Sequence, residues 1–311
     1  MQDRIKLMGG AMIALAMVAT ASQAAAQTAC PGNPKALGVA RTVAIDTAGG
    51  PGFGFEHFKD HDFLRKDEIV LTFDDGPWPH NTAAILAALA AHCTKATFFP
   101  IGKHSTWHPE ILRSVAEQGH SIGSHTWSHV DLSKLSADKA KAEIEMGISG
   151  VRRAIGDAAM PFFRFPALKH PPEMVKYAGE RNLGIFSTDV DSFDFKLRAP
   201  DKLVSAVMER LHKNGGKGIL LMHDFQQVTA KAIPMLLNEL QAKGYKVVHM
   251  TAKTRVKSLP EYDEMVAAQI KGPVSANARP TSSVVSTVEP TPAPAAKPAT
   301  TPAAATKPAT K

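Results

Sequence analysis

Short apolar runs alternate with amphipathic stretches along the middle of this chain. The runs are Ile69–Phe73, Ala96–Ile101, His120–Gly123, Phe162–Phe165, Leu183–Ser187, Gly218–Met222 and Tyr245–Val248. Their lengths and bounding turn residues suit buried strands. Between them lie Asn81–Ala91, Pro109–Gln118, Ala137–Ile155, Pro172–Arg181, Asp201–Lys213 and Ala230–Lys243, which read as helices. In Ala137–Ile155, for instance, Ile144, Ile148 and Val151 recur at helical spacing, as a packed helix requires. Strands alternating with helices predict an α/β fold on a parallel sheet, open or rolled into a barrel.

The flanks differ from this pattern. Residues 1–26 read as a signal peptide: Arg4 and Lys6 precede an apolar stretch from Leu7 to Thr20, and Ala24-Ala25-Ala26 offers a cleavage site before Gln27. That stretch is too short and too rich in Ala and Gly for a stable membrane span, so export to the periplasm or medium is expected. Residues 27–66 read as an N-terminal arm, 67–255 as the main domain, and 256–311 as a disordered tail. From about Pro273 the tail is mostly Pro, Ala, Thr, Ser, Val and Lys, a composition that cannot bury a core. The only cysteines, Cys30 and Cys93, predict one disulfide in an exported protein, tying the arm to the first helix. The formal charge of +7 suits acidic wall or matrix polymers as well as simple solubility. No basic run interleaved with aromatics points to nucleic acid.

The candidate chemistry collects at the ends of the predicted strands. Asp74 and Asp75 follow the first, His125 and His129 the third, and Arg164 lies near the end of the fourth. Asp189, Asp191 and Asp194 follow the fifth, and His223 the sixth. Parallel α/β barrels build their sites at this rim. One carboxylate and two imidazoles form a ligand set for a catalytic divalent metal with a position left open for water. The i, i+4 spacing of His125 and His129 would place both rings on one side of a helical turn. Adjacent carboxylates on an extended backbone point to opposite sides, so Asp74 and Asp75 are expected to divide between base and metal ligand. His223 reads as a general acid whose pKa Asp194 would raise, and Arg164 as a partner for Asp74. Both pairs equally describe ordinary structural ion pairs, and Asp-Gly-Pro is also turn chemistry.

Thr72-Phe73-Asp74-Asp75-Gly76, His125-Thr126-Trp127-Ser128-His129, Arg164-Phe165-Pro166, Asp191-Ser192-Phe193-Asp194 and Leu221-Met222-His223 resemble, in order and spacing, the five motifs of the polysaccharide deacetylases. These are carbohydrate esterase family 4, the NodB-homology domain. The resemblance implies a distorted (β/α)7 barrel and one divalent metal, usually zinc, with cobalt, nickel or manganese as alternatives. By position it implies Asp75, His125 and His129 as metal ligands, Asp74 as base and Arg164 as its orienting partner. It implies His223 as acid tuned by Asp194, the Ala167 N–H at the oxyanion, and Leu221 lining the acetyl pocket. Two positions depart from the family pattern. Ala167-Leu168 stand where Tyr-Gly is common, and Phe195 where Trp is usual.

The resulting expectation is metal-dependent N-deacetylation of N-acetylglucosamine-containing glycans, of chitooligosaccharide or peptidoglycan type, with an acetylated polysaccharide or oligosaccharide as partner. An O-acetyl xylan esterase using the same site is one alternative. The other is a non-catalytic glycan-binding protein of the cell envelope, which would be expected to lack a ligand, acid or base; none is missing here.

Overall fold

The computed structural model describes residues 30–270 of the chain. The expected signal peptide, and the tail from residue 271 onward, lie outside them. All seven predicted strands form: β3 (Glu68–Asp74), β4 (Thr97–Phe99), β5 (Ser121–Ser124), β6 (Ala159–Phe163), β7 (Gly184–Phe186), β9 (Gly218–His223) and β10 (Lys246–Ala252). The six predicted helices form as α1 (Asn81–Ala91), α3 (Pro109–Glu117), α4 (Ala137–Ile155), α5 (Pro172–Glu180), α6 (Pro200–Lys213) and α7 (Gln227–Ala242). Two short strands were not legible, β1 (Arg41–Ile45) and β2 (Gly52–Phe53), nor was β8 (Val190–Asp191), which continues β7 after a three-residue break. A short helix, α2 (Gly102–Trp107), and a C-terminal helix, α8 (Pro260–Gln269), complete the described α-helices.

Every pairing is parallel. β3 lies between β4 and β9, and the path β4–β5–β6–β7 leads to β8, which returns to β9. The sheet therefore curls back on itself, interrupted only between β7 and β8, as a distorted barrel. β10 joins the lower end of β3 and carries β1 on its far side.

The side-chain period of two along a strand determines what reaches the interior. On β3, Ile69, Leu71 and Phe73 pack with the helices in the larger core cluster. Val70 joins Phe99, Phe162, Phe186, Ile219 and Val248 in the smaller, interior one. Thr72 and Asp74 continue the Val70 row, so the interior row of β3 ends in a carboxylate at its C-terminal edge. On β9, Leu220 and Met222 face the helices and Ile219 the interior. Leu221 and His223 continue that inner row. Asp74 and His223 are register partners on adjacent strands.

The tail boundary is corrected, and the arm is seen to join the sheet. The arm is not a mere lead-in, since β1 pairs with β10 and β2 with β7. Arg41 also pairs with buried Glu68 at 2.6 Å. Residues 256–270 do not belong to a disordered tail, because α8 docks on α4 with Val266 fully buried and Tyr262 and Ile270 beside it. The Pro/Ala/Thr-biased composition begins only beyond this helix. The expected disulfide joins Cys30 to Cys93, just past the end of α1. Among the described residues, no helix is long and apolar enough to cross a membrane.

Candidate active site and metal centre

The rim residues converge. Asp75, His125 and His129 are buried, with one potential ligand atom from each lying within 4.8 Å of the others. Asp75 Oδ1 is 3.4 Å from Nε2 of both histidines. A carbonyl oxygen only accepts, so the 2.7 Å contact from His125 Nδ1 to the Arg164 carbonyl puts the proton on Nδ1 and leaves the Nε2 lone pair facing Asp75. Burial is the main force on His125 and pushes its pKa down to about 4, keeping the ring a neutral donor. One carboxylate and two imidazoles converging on a common point fit a divalent cation.

Two expectations about local backbone need correction. His125 and His129 do not share a helical turn: residues 125–129 form an irregular loop in which Thr126 and His129 have φ of 65° and 58°. The rings still lie 4.9 Å apart, because the loop doubles back. Asp74 and Asp75 do not point to opposite sides. β3 ends at Asp74, and Asp75 turns to φ 73°, so both carboxylates approach the same imidazole. The distances from His125 Nε2 are 3.9 Å to Asp74 Oδ2 and 3.4 Å to Asp75 Oδ1.

Arg164 is fully buried beside Asp74. Its Nη1 donates to Asp74 Oδ1 at 2.7 Å and to Thr72 Oγ1 at 2.8 Å. Nε and Nη2 donate to the carbonyls of Phe186 and Ser187, and the guanidinium lies 4.4 Å from the Phe99 ring centroid. One oxygen of Asp74 is thereby fixed, while Oδ2 remains on the side of His125.

Across the site, His223 Nδ1 contacts Asp194 Oδ1 at 2.6 Å. The Thr229 hydroxyl and the His223 N–H both donate to Asp194 Oδ2, at 2.6 and 2.8 Å. Burial alone would lower the His223 pKa. The charge and hydrogen bond of Asp194, with help from Asp75 and Asp74, outweigh it and raise the pKa to about 10. Phe195 sets its ring edge-on to His223 at 5.9 Å. Leu221 is buried opposite Thr72 and Asp191. Ala167 is exposed, with φ 50° in the turn after Arg164. Asp191 sits half-buried on the rim, where burial is the main cause of its raised pKa. Asp189 serves the scaffold instead, accepting the N–H groups of Phe55 and Ile219.

Several supporting residues escaped the sequence reading. His104, buried on α2, donates from Nδ1 to the Asp75 carbonyl. The Glu143 carboxylate takes the Ser128 N–H and hydroxyl at 2.9 and 2.7 Å. Thr229 reaches Asp194 from α7. Asp224 lies beneath the turn after Asp75 and accepts from Thr82 Oγ1 at 2.6 Å, and burial raises its pKa to about 7. A Cβ at Gly76 would come within 2.1 Å of the Asp224 carboxylate, so only glycine fits there. Each support is remote in sequence from the group it holds. Only the His223-Asp224 dipeptide at a strand end offered a signal.

The fold and rim define a parallel α/β barrel with a candidate divalent-metal site among its strand ends. Residues 62–185 match the family model described as polysaccharide deacetylase. A peptidoglycan-N-acetylglucosamine deacetylase of Bacillus cereus is 32% identical over 188 residues, covering 59% of this chain and 67% of that protein. The peptidoglycan-N-acetylglucosamine deacetylase PgdA of Listeria monocytogenes is 33% identical over 183 residues, covering 58% of this chain but only 37% of its own length. Among solved structures, a peptidoglycan deacetylase of Bdellovibrio bacteriovorus superposes with a TM-score of 0.62 at 34% identity, covering 68% of this chain and 59% of that one. This chain belongs to the polysaccharide deacetylase family.

Proposed function

We propose that this protein is an exported hydrolase that removes acetyl groups from N-acetylglucosamine units of glycans, of peptidoglycan or chitooligosaccharide type, releasing acetate. The observation that carries this reading is the convergence of three separate assemblies on one rim. These are the Asp75–His125–His129 cluster, the Arg164-braced Asp74 and the Asp194-braced His223. Relatives that act on N-acetylglucosamine in peptidoglycan support the substrate class.

Asp75, His125 and His129 would hold the cation, with zinc the preferred ion. When bound, it supplies Lewis-acid polarisation of the acetamide carbonyl and acidifies the attacking water. Asp74 accepts the proton of that water through Oδ2, while Arg164 fixes the other oxygen. The Ala167 N–H donates to the oxygen on which negative charge develops. His223 gives its proton to the departing nitrogen, and Asp194 keeps that proton on the imidazole until then. Leu221 and Phe195 form an apolar wall for the acetyl methyl and the sugar face. Acetate and a free amine result. The disulfide and the signal-like start of the chain support export.

Acetate release from an N-acetylglucosamine pentamer, from peptidoglycan and from acetylated xylan separates the readings. Release from either of the first two with none from xylan is expected. Release from xylan alone would replace the amidase with an O-acetyl esterase, and silence on all three would favour a binding protein.

A further inference from the structure

The loop carrying both histidines has no regular structure of its own. Thr126 and His129 occupy the left-handed region that residues other than glycine rarely adopt. Its conformation must therefore be imposed from outside, and α4 supplies one side. The Trp127 N–H donates to the Glu143 carbonyl at 2.8 Å, and the Glu143 carboxylate holds Ser128. α2 holds the backbone too, with the Gly102 and Lys103 N–H groups donating to the Thr126 and Trp127 carbonyls at 2.9 and 3.0 Å, and α8 covers the Trp127 side chain. Trp127, midway between the two ligands, is buried in a small apolar cluster with Met146 and Val266, against which Tyr262 and Ile270 pack. Its indole N–H donates to Gln269 Oε1 at 3.0 Å. α8 is in turn anchored, since Asp263 accepts from Ser149 on α4 and from Ser258.

We propose that α8 is a strap for the metal centre. Val266 and Gln269 are positioning residues that hold Trp127, and through it keep His125 and His129 preorganised for the cation. The inference rests on reading Asp75, His125 and His129 as the metal ligands. A preorganised ligand loop spares binding the cost of ordering it. Metal affinity, and not only fold stability, therefore depends on a helix whose Gln269 lies 142 residues beyond Trp127 in sequence.

The test uses the full-length chain and zinc, with affinity read by competition against a chromophoric chelator. The variants are Val266→Asp and Gln269→Ala. Controls are Met265→Asp on the exposed face of α8 and Leu240→Ala, a core truncation on α7 away from the loop. Val266→Asp is expected to weaken zinc binding about tenfold or more, the scale on which groups that orient metal ligands act. Gln269→Ala should show a smaller loss in the same direction. Both controls should keep wild-type affinity, although Leu240→Ala melts earlier. Should Val266→Asp not fold, Gln269→Ala decides alone. Wild-type affinity in the strap variants, or an equal loss in Leu240→Ala, overturns the strap. Wild-type protein that binds no zinc, or binds it equally after His125→Ala, overturns the metal reading itself and the strap with it.

Discussion

The base and the acid of the proposed reaction stand side by side because Asp74 and His223 close the inner rows of two neighbouring strands. Their partners differ in kind. Asp74 is braced by a guanidinium, and His223 by a carboxylate that overcomes burial and raises its pKa to about 10. A folded pKa above the unfolded one means that this interaction stabilises the protein fully below the ordinary histidine range and fades as pH rises through about 10. Asp194→Asn removes the charge that opposes desolvation. The alkaline limb of the kcat profile should then move to lower pH, and a limb that stays in place would exclude His223 as the acid. Asp74→Asn should lower kcat about 10²–10⁴-fold, the usual worth of a positioned general base, while zinc affinity is retained. At this scale the principal residues were legible because each stands at a strand end beside an unusual neighbour. His104, Glu143 and Thr229 were not, since a lone polar residue on a helix looks the same whether it faces water or braces a ligand.

Elements were legible where their periodicity was strong. Most of the seven runs were legible because parallel strands buried on both faces read as near-continuous apolar stretches, whereas β5 carries Ile122 as its one large apolar residue. β1, β2 and β8 are too short or too half-exposed to show such a pattern, and they owe their form to the strands they join. The His-x-x-x-His spacing suggested a helical turn, but bonds to α4 hold the segment in a different shape. α8 reads as part of a tail in the sequence because its one fully buried apolar side chain, Val266, gives no stripe. The contact between α4 and the ligand loop is close enough to test. A Cβ on Gly147 would lie 2.5 Å from the Thr126 carbonyl carbon. Gly147→Ala should therefore cost about 1–3 kcal/mol as an overpacked contact, seen as a lower melting temperature, and should weaken zinc binding as the loop shifts. A neutral outcome would show that α4 does not shape the loop.

At the scale of the described residues, the arm and the C-terminal helix are packed onto the barrel rather than hanging from it. The Cys30–Cys93 bridge spans 63 residues and ties the start of the arm to the end of α1. Replacing both cysteines with serine should lower stability by about 2–4 kcal/mol in denaturant titration without changing the catalytic rate at ambient temperature. An unchanged midpoint would show that the arm is held by β1 and β2 alone. The most direct measurement on the central reading is acetate release from N-acetylglucosamine pentamer by zinc-loaded wild-type protein, beside the chelated protein and Asp74→Asn. Release by the wild type that disappears in both comparisons, and returns when zinc is restored to the chelated sample, is the predicted result. Release that survives chelation or the loss of the Asp74 carboxylate would contradict it.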